Sequence, residues 1–166
     1  MPVSKIEWTK QQSGWALWHI TESEEVLAKL LVPEVCPPDI VSKLKRLEWM
    51  AARLLLRTLV EEAGLTYNGL HKDEFGKPYL KDNVHQISLS HSYPLVAAQI
   101  DRFHPVGVDV EQPKEKLLKI AHRVLNKSEE ADAGGSIQKN CIYWCAKEAL
   151  YKIYGKRGLS FSEHLH

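Results

Sequence analysis

Apolar and polar positions along the chain repeat in two ways. The stretch GWALWHI, from Gly14 to Ile20, alternates in part and reads as a strand. Thr21 and Ser23 are both placed to cap a helix through EEVLAKLL, and the proline-rich VPEVCPPDI that follows reads as a loop. Asp39 opens a long helical pattern, DIVSKLKRLEWMAARLLLRTLVEEAG. In it Leu44, Leu47, Met50, Leu54 and Leu55 recur at helical spacing, and Gly64 supplies the stop. The stretch TYNGLHKDEFGKPYLKDN is rich in turn formers, with a short strand expected at Tyr79 and Leu80. ISLSHS and LVAAQID read as two strands joined by a tight turn at Tyr93 and Pro94. HPVGVDVE then reads as a strand and PKEKLLKIAHRVL as an amphipathic helix. NKSEEADAGGSIQKN reads as a polar loop, and CIYWCAKEALYKIYG as a second strong helix closed by Gly155.

The order is strand, helix, helix, strands, and then strand, helix, helix. The first half has closing strands and the second does not, and the pattern asks for more where the chain reaches GLSFSEHLH. The expectation, which the family resemblance given below implies, is an α+β fold of two similar lobes, residues 1–104 and 105–166, with the second lobe cut short and a ligand at their junction. No sequence repeat is visible, so a structural duplication rests on element order and that resemblance.

Composition narrows the function classes. The 22 Lys and Arg nearly cancel the 21 Asp and Glu, which argues against a general nucleic-acid binder. No apolar run reaches spanning length, and the N-terminus lacks the apolar core of a signal peptide. Three cysteines, Cys36, Cys141 and Cys145, carry no CxxC pair or metal-ligand spacing and point to reduced thiols in a cytoplasmic protein. A P-loop is absent, and no GxSxG elbow supports a serine hydrolase built on His91 and Asp109.

GVDVE puts two carboxylates on one side of an extended segment, roughly 7 Å apart, where they repel. In WCAKEALYK, Trp144, Glu148 and Lys152 are spaced by four and share a helix face. Taken alone, each has a plain reading: acids facing water on a half-exposed strand, and an i to i+4 surface ion pair. Together, Asp109, Glu111 and Glu148 make three hard oxygen donors, a set that suits Mg²⁺ shared with substrate phosphates. Mn²⁺ accepts the same donors. Lys43, Lys45, Arg46 and Arg53 lie along the long helix, where Arg46 and Arg53, seven apart, can share a face. They form either a solvated face or an anion site. Lys77 follows Gly76 in FGKP, and His91 stands between two serines in LSHS, as a structural hydrogen bonder or a site residue.

FGKPYL, ISLSHS, GVDVE and WCAKEALYK, in this order and spacing, resemble the 4'-phosphopantetheinyl transferases of the surfactin-synthetase-activating type. The resemblance runs from about Lys43 to Phe161, and KRLEWMAARLLLR fits the helix that precedes these motifs in that family. It implies transfer of the phosphopantetheine arm of coenzyme A to a serine of an apo acyl or peptidyl carrier protein, with release of adenosine 3',5'-bisphosphate. By the same resemblance Asp109, Glu111 and Glu148 hold Mg²⁺, Glu148 deprotonates the acceptor serine, and Lys152 balances charge on the transferred phosphate. Ser90 and His91 contact the coenzyme A phosphates, Lys77 and Pro78 line the adenine end, and Arg46 and Arg53 take the 3'-phosphate. Which carrier protein is served is not implied. PKEKLLKIAHRVLNK reads either as a cationic docking face for an acidic carrier or as an ordinary amphipathic helix. The alternative to the transferase is a degenerate relative that binds coenzyme A, or has a structural role, without turnover. A monomer is expected, and dimerisation by strand pairing is the rival.

Overall fold

The computed structural model describes residues 3–9 and 13–166. Strands β1 (Val3–Thr9) and β2 (Ser13–His19) pair antiparallel, and β2 continues onto β6 (Leu95–Asp101), which pairs with β5 (Gln86–Ser92). The sheet order is therefore β1-β2-β6-β5, with every pairing antiparallel. A second, two-stranded sheet joins β3 (Leu70–Lys72) to β4 (Pro78–Leu80).

One face of the larger sheet is buried by helix. Helix α1 (Glu24–Leu31) is capped by Ser23, whose hydroxyl accepts from Val26 N. Helix α2 (Lys43–Glu62) presents Leu47, Met50, Ala51, Leu54, Leu55 and Leu59, all buried, to Ala16 and Trp18 of β2, Ile87 of β5 and Val96, Ala98 and Ile100 of β6. Alternate positions of each strand meet a helical stripe, which is what the two side-chain periods require. Beyond the sheet come α3 (Lys116–Val124), α4 (Lys127–Ala133), α5 (Ile137–Tyr154) and α6 (Phe161–His164). A separate apolar cluster joins Val124, Leu125 and Ala133 to Ile120, Tyr143, Trp144 and Phe161. Lys147 is buried in this region, donates to the Phe161 and Leu165 carbonyls at 3.0 and 2.7 Å, and pairs with Glu129 at 2.6 Å.

Four expectations change. Residues 105–111 form no strand: Val108 N and Val110 N donate to the hydroxyls of Ser88 and Ser90, at 3.0 and 3.2 Å. The segment lies across the serine side chains of β5 instead of beside its backbone, so it is extended without joining a ladder. The long helix starts at Lys43, not Asp39, because Ile40 N bonds back to Pro37 O at 3.2 Å and holds Asp39 in a turn. NKSEEADA is helix, not loop, since Asn126 and Glu129 form a reciprocal capping box. Strand β1 lies outside the expected set; its register shift between Val3 and Lys5 breaks the alternation that would have revealed it. Among the described residues, no helix is long and apolar enough to cross a membrane.

Candidate functional site

Ser88, Ser90 and Ser92 alternate along β5 and share one face, while Ile87 and Leu89 belong to the core on the other. Ser90 Oγ donates to Asp109 Oδ1 at 2.6 Å, and Ser92 Oγ donates to Glu111. The two acids therefore do point the same way, each held by a serine two residues from the next. Helix α5 also packs on this segment. A Cβ on Gly107 would stand 2.0 Å from the Ala149 carbonyl oxygen, so only glycine admits the approach. Lys152 Nζ reaches across to Val108 O at 2.8 Å and Asp109 Oδ1 at 2.7 Å.

Glu148, one turn before Lys152, is half-buried, and its carboxylate has no hydrogen-bond or ion-pair partner among the described residues. Burial raises its pKa, and the negative charge of Asp109 raises it further against the opposing Lys152. Glu111 moves the other way. Burial opposes its ionisation, but bonds from Ser92, Lys116 and Gln112 N bring its pKa down to about 2. Lys116 is 2.9 Å from Glu111. Cys145 is pushed up to about 12, by burial first and then by Asp109, so its thiol stays protonated.

Among the described residues no three His, Cys, Asp or Glu side chains are gathered so as to hold a metal ion. Asp109 faces Lys152 and Glu111 faces Lys116. The donor chemistry still fits a hard divalent cation. All three donors are carboxylates, and Glu148 is a half-buried carboxylate beside Asp109 with no partner of its own.

On the other side of Lys152 lies a cavity of about 300 Å³. It gathers Arg53, Lys72, Lys77, Lys152, Lys156, Arg157 and His91, with Trp49, Phe75 and Tyr151, and no acid among the described residues lines it. Asp73 holds the turn that carries Lys77, accepting from Phe75 N and Lys77 N at 2.9 Å each. The Lys77 side chain then passes over Gly155, the left-handed cap of α5, where a Cβ would meet its Cδ at 2.9 Å. Arg53 stacks on Trp49, 3.4 Å from the ring centroid, and pairs with Glu34 at 3.3 Å.

Of the residues singled out in the sequence, Arg53, Lys77, Pro78, His91 and Lys152 line this cavity together. Ser90, Asp109, Glu111 and Glu148 do not line it; Ser90 bonds to Asp109 and, separately, Ser92 bonds to Glu111, along the segment beyond Lys152. Arg46 joins neither group, since its Nε is held by Glu24 at 2.5 Å. Sequence reasoning passed over Lys72, Lys156, Arg157 and, above all, Glu48. The readable sign of Glu48 was an acid in the middle of the apolar stripe of α2.

Residues 105–165 match the family model of the 4'-phosphopantetheinyl transferase superfamily. The chain is 32% identical over 90 residues to the 4'-phosphopantetheinyl transferase gsp of Aneurinibacillus migulanus, a match covering 51% of this chain and 37% of that relative. To the 4'-phosphopantetheinyl transferases ffp and Sfp of Bacillus subtilis it is 38% and 36% identical over 105 residues, 56% of this chain and 46% of each relative. The chain thus spans less than half the length of each of these three. By these matches, the chain is similar to members of the 4'-phosphopantetheinyl transferase superfamily over residues 105–165 and to three named transferases over part of its length.

Proposed function

We propose that the protein transfers the 4'-phosphopantetheine arm of coenzyme A to a serine of an acyl or peptidyl carrier protein. The observation that carries this reading is the cation-lined, acid-free cavity joined through Lys152 to a set of carboxylates. Coenzyme A is a polyanion with an aromatic base. The cations answer its phosphates, and Trp49, Phe75 and Tyr151 supply flat apolar surface for the base. In this reading the residues on either side of position 104 work as one unit, with the cavity at their junction.

Asp109, Glu111 and Glu148 are the residues that would hold Mg²⁺, or Mn²⁺, against the diphosphate. Bound there, the cation would neutralise charge on the leaving group. Arg53 and Lys77 bind the nucleotide phosphates, Pro78 lines the adenine end, and Ser90 keeps Asp109 in place. Lys152 sits where it can balance charge on the transferred phosphoryl group. Glu148 has the environment of a general base: its raised pKa moves it toward the range where a carboxylate can take the proton of an incoming hydroxyl. The cationic α3, with Lys116, Lys119 and Arg123, is the docking face for an acidic carrier. The three free cysteines suit a cytoplasmic setting, and the reading needs only a monomer.

One observation favours the second reading, coenzyme A binding without turnover: lysines already occupy Asp109 and Glu111. Intact-mass spectrometry of an apo acyl carrier protein incubated with the chain, coenzyme A and Mg²⁺ separates the two. A gain of one phosphopantetheine, lost with Glu148→Gln, supports transfer. Coenzyme A binding without any mass gain, across several carriers, establishes the second reading instead.

A further inference from the structure

Glu48 is 3% exposed on the apolar stripe of α2. Its Oε1 accepts from Tyr93 N at 2.7 Å, and its Oε2 accepts from Lys45 Nζ at 2.7 Å and faces His91 Nδ1 at 3.2 Å. Tyr93 and Lys45 already satisfy a buried carboxylate. The contact with His91 leads outward: that side chain is 40% exposed and lines the cation-rich cavity, and its Nε2 has no protein partner among the described residues.

Glu48 Oε2 and His91 Nδ1 approach to 3.2 Å as a charge pair, not as an aligned hydrogen bond. An ionised carboxylate only accepts, so this approach favours the tautomer with the proton on Nδ1 and a bare Nε2. Glu48 is ionised: burial works against it, but Lys45, the Tyr93 N–H and His91 together hold its pKa below the usual range. His91 is held below the ordinary histidine value, by burial first, with Lys45 of α2 and Lys152 of α5 adding to the effect and Glu48 opposing it. Arg53 of α2 and Lys77 of the turn line the same cavity and add positive charge. The ring is therefore neutral in the free protein near pH 7.

We propose that Glu48 is a positioning residue for His91: it fixes the ring proton on Nδ1 and presents Nε2 to the cavity, so that a phosphate group binding there draws a proton from solvent onto Nε2. The hold of Glu48 on His91 stands on geometry alone, while the phosphate ligand rests on the transferase reading. The consequence is a linkage in which binding strengthens as the pH falls toward the histidine range.

The test has two arms. Nitrogen-15 NMR of the histidine rings in the free protein should show His91 as the Nδ1–H tautomer. In Glu48→Gln the amide NH₂ takes the place of Oε2 and donates to Nδ1, so the proton should move to Nε2. An Nε2–H ring in the wild type would overturn the proposal. In the second arm, coenzyme A binding is measured by calorimetry in buffers of different ionisation heat. The wild type should take up protons near pH 7.5. Glu48→Gln should lose that uptake and bind about tenfold more weakly. The double variant Glu48→Gln, His91→Gln should bind no worse than His91→Gln alone. A weakening that persists in full in the His91→Gln background would show that Glu48 is merely structural, and would sink the idea. If Glu48→Gln does not fold, wild-type affinity that does not rise with falling pH overturns the uptake. If the wild type fails to bind coenzyme A, the transferase reading falls, and the tautomer still decides what Glu48 does.

Discussion

Gly107 lies against the helix at Ala149 so closely that a Cβ would stand 2.0 Å from that carbonyl oxygen and 2.9 Å from its carbon. Backbone cannot swing aside as a side chain can. Gly107→Ala should therefore lower stability by about 1–3 kcal/mol, the range for overpacking. It should also separate Lys152 from Asp109. Urea denaturation reads the first effect, and an unchanged midpoint would show that α5 sits further from the segment.

Glu148 has a raised pKa, from burial first and then the charge of Asp109. In the proposed reaction Glu148 would act as a base only when ionised, so transfer should fall as pH drops through a value above the usual ~4.3 of glutamate. Glu148→Gln should reduce the rate by about 10²–10⁴. The sign for stability is opposite. A raised carboxylate pKa favours folding below the unfolded value, and that contribution is lost as pH rises through the folded one. The neutral variant should accordingly melt higher than the wild type at pH 7.5, the usual tension between a strained site and a stable one. A lower melting temperature would contradict the buried, partnerless placement of this carboxylate.

Glu111 runs the other way, with its pKa brought down to about 2 by its bonds against the opposing effect of burial. Its contribution is present above the unfolded value and should disappear between about pH 4.5 and pH 2, where it amounts to about 2–3 kcal/mol. Glu111→Gln should flatten acid unfolding in that window. If wild type and variant lose stability in parallel there, the Ser92 and Lys116 bonds contribute little.

Arg53 and Arg46 share the long helix but not the cavity. Arg53→Ala should weaken coenzyme A binding by about tenfold, the loss of one charge-assisted contact, and Arg46→Ala by far less. Isothermal titration with coenzyme A gives both values. Equal losses would place the 3'-phosphate nearer Glu24 than the cavity suggests.

Much of this was readable beforehand because the relevant physics is local. The stop of α5 at Gly155 needs only a left-handed residue after a periodic run, and the β5–β6 hairpin needs only two alternating runs around a turn. The pairing of Ser90 with Asp109 was not readable, since a strand and an extended segment that bonds to its side chains have the same alternation. Lys147 and Lys152 also look alike in WCAKEALYK. One is buried, paired with Glu129, and tethers the segment through Leu165, while the other reaches Asp109 at the edge of the cavity; only packing separates them. Glu48 shows the converse. It sits where periodicity demands an apolar residue, so its conflict with the pattern was the clue to its role.

The cations of the cavity have a mechanical side as well. Folding brings Lys72, Lys77, Lys156 and Arg157 together with Arg53 and Lys152, although the whole chain carries a net charge of only +1. That is work done against repulsion, stored at one place and released when the chain opens. Added salt should relieve it, so this protein should gain thermal stability as ionic strength rises from low values. A multivalent anion such as pyrophosphate should do so at far lower concentration than chloride, by binding only the folded form.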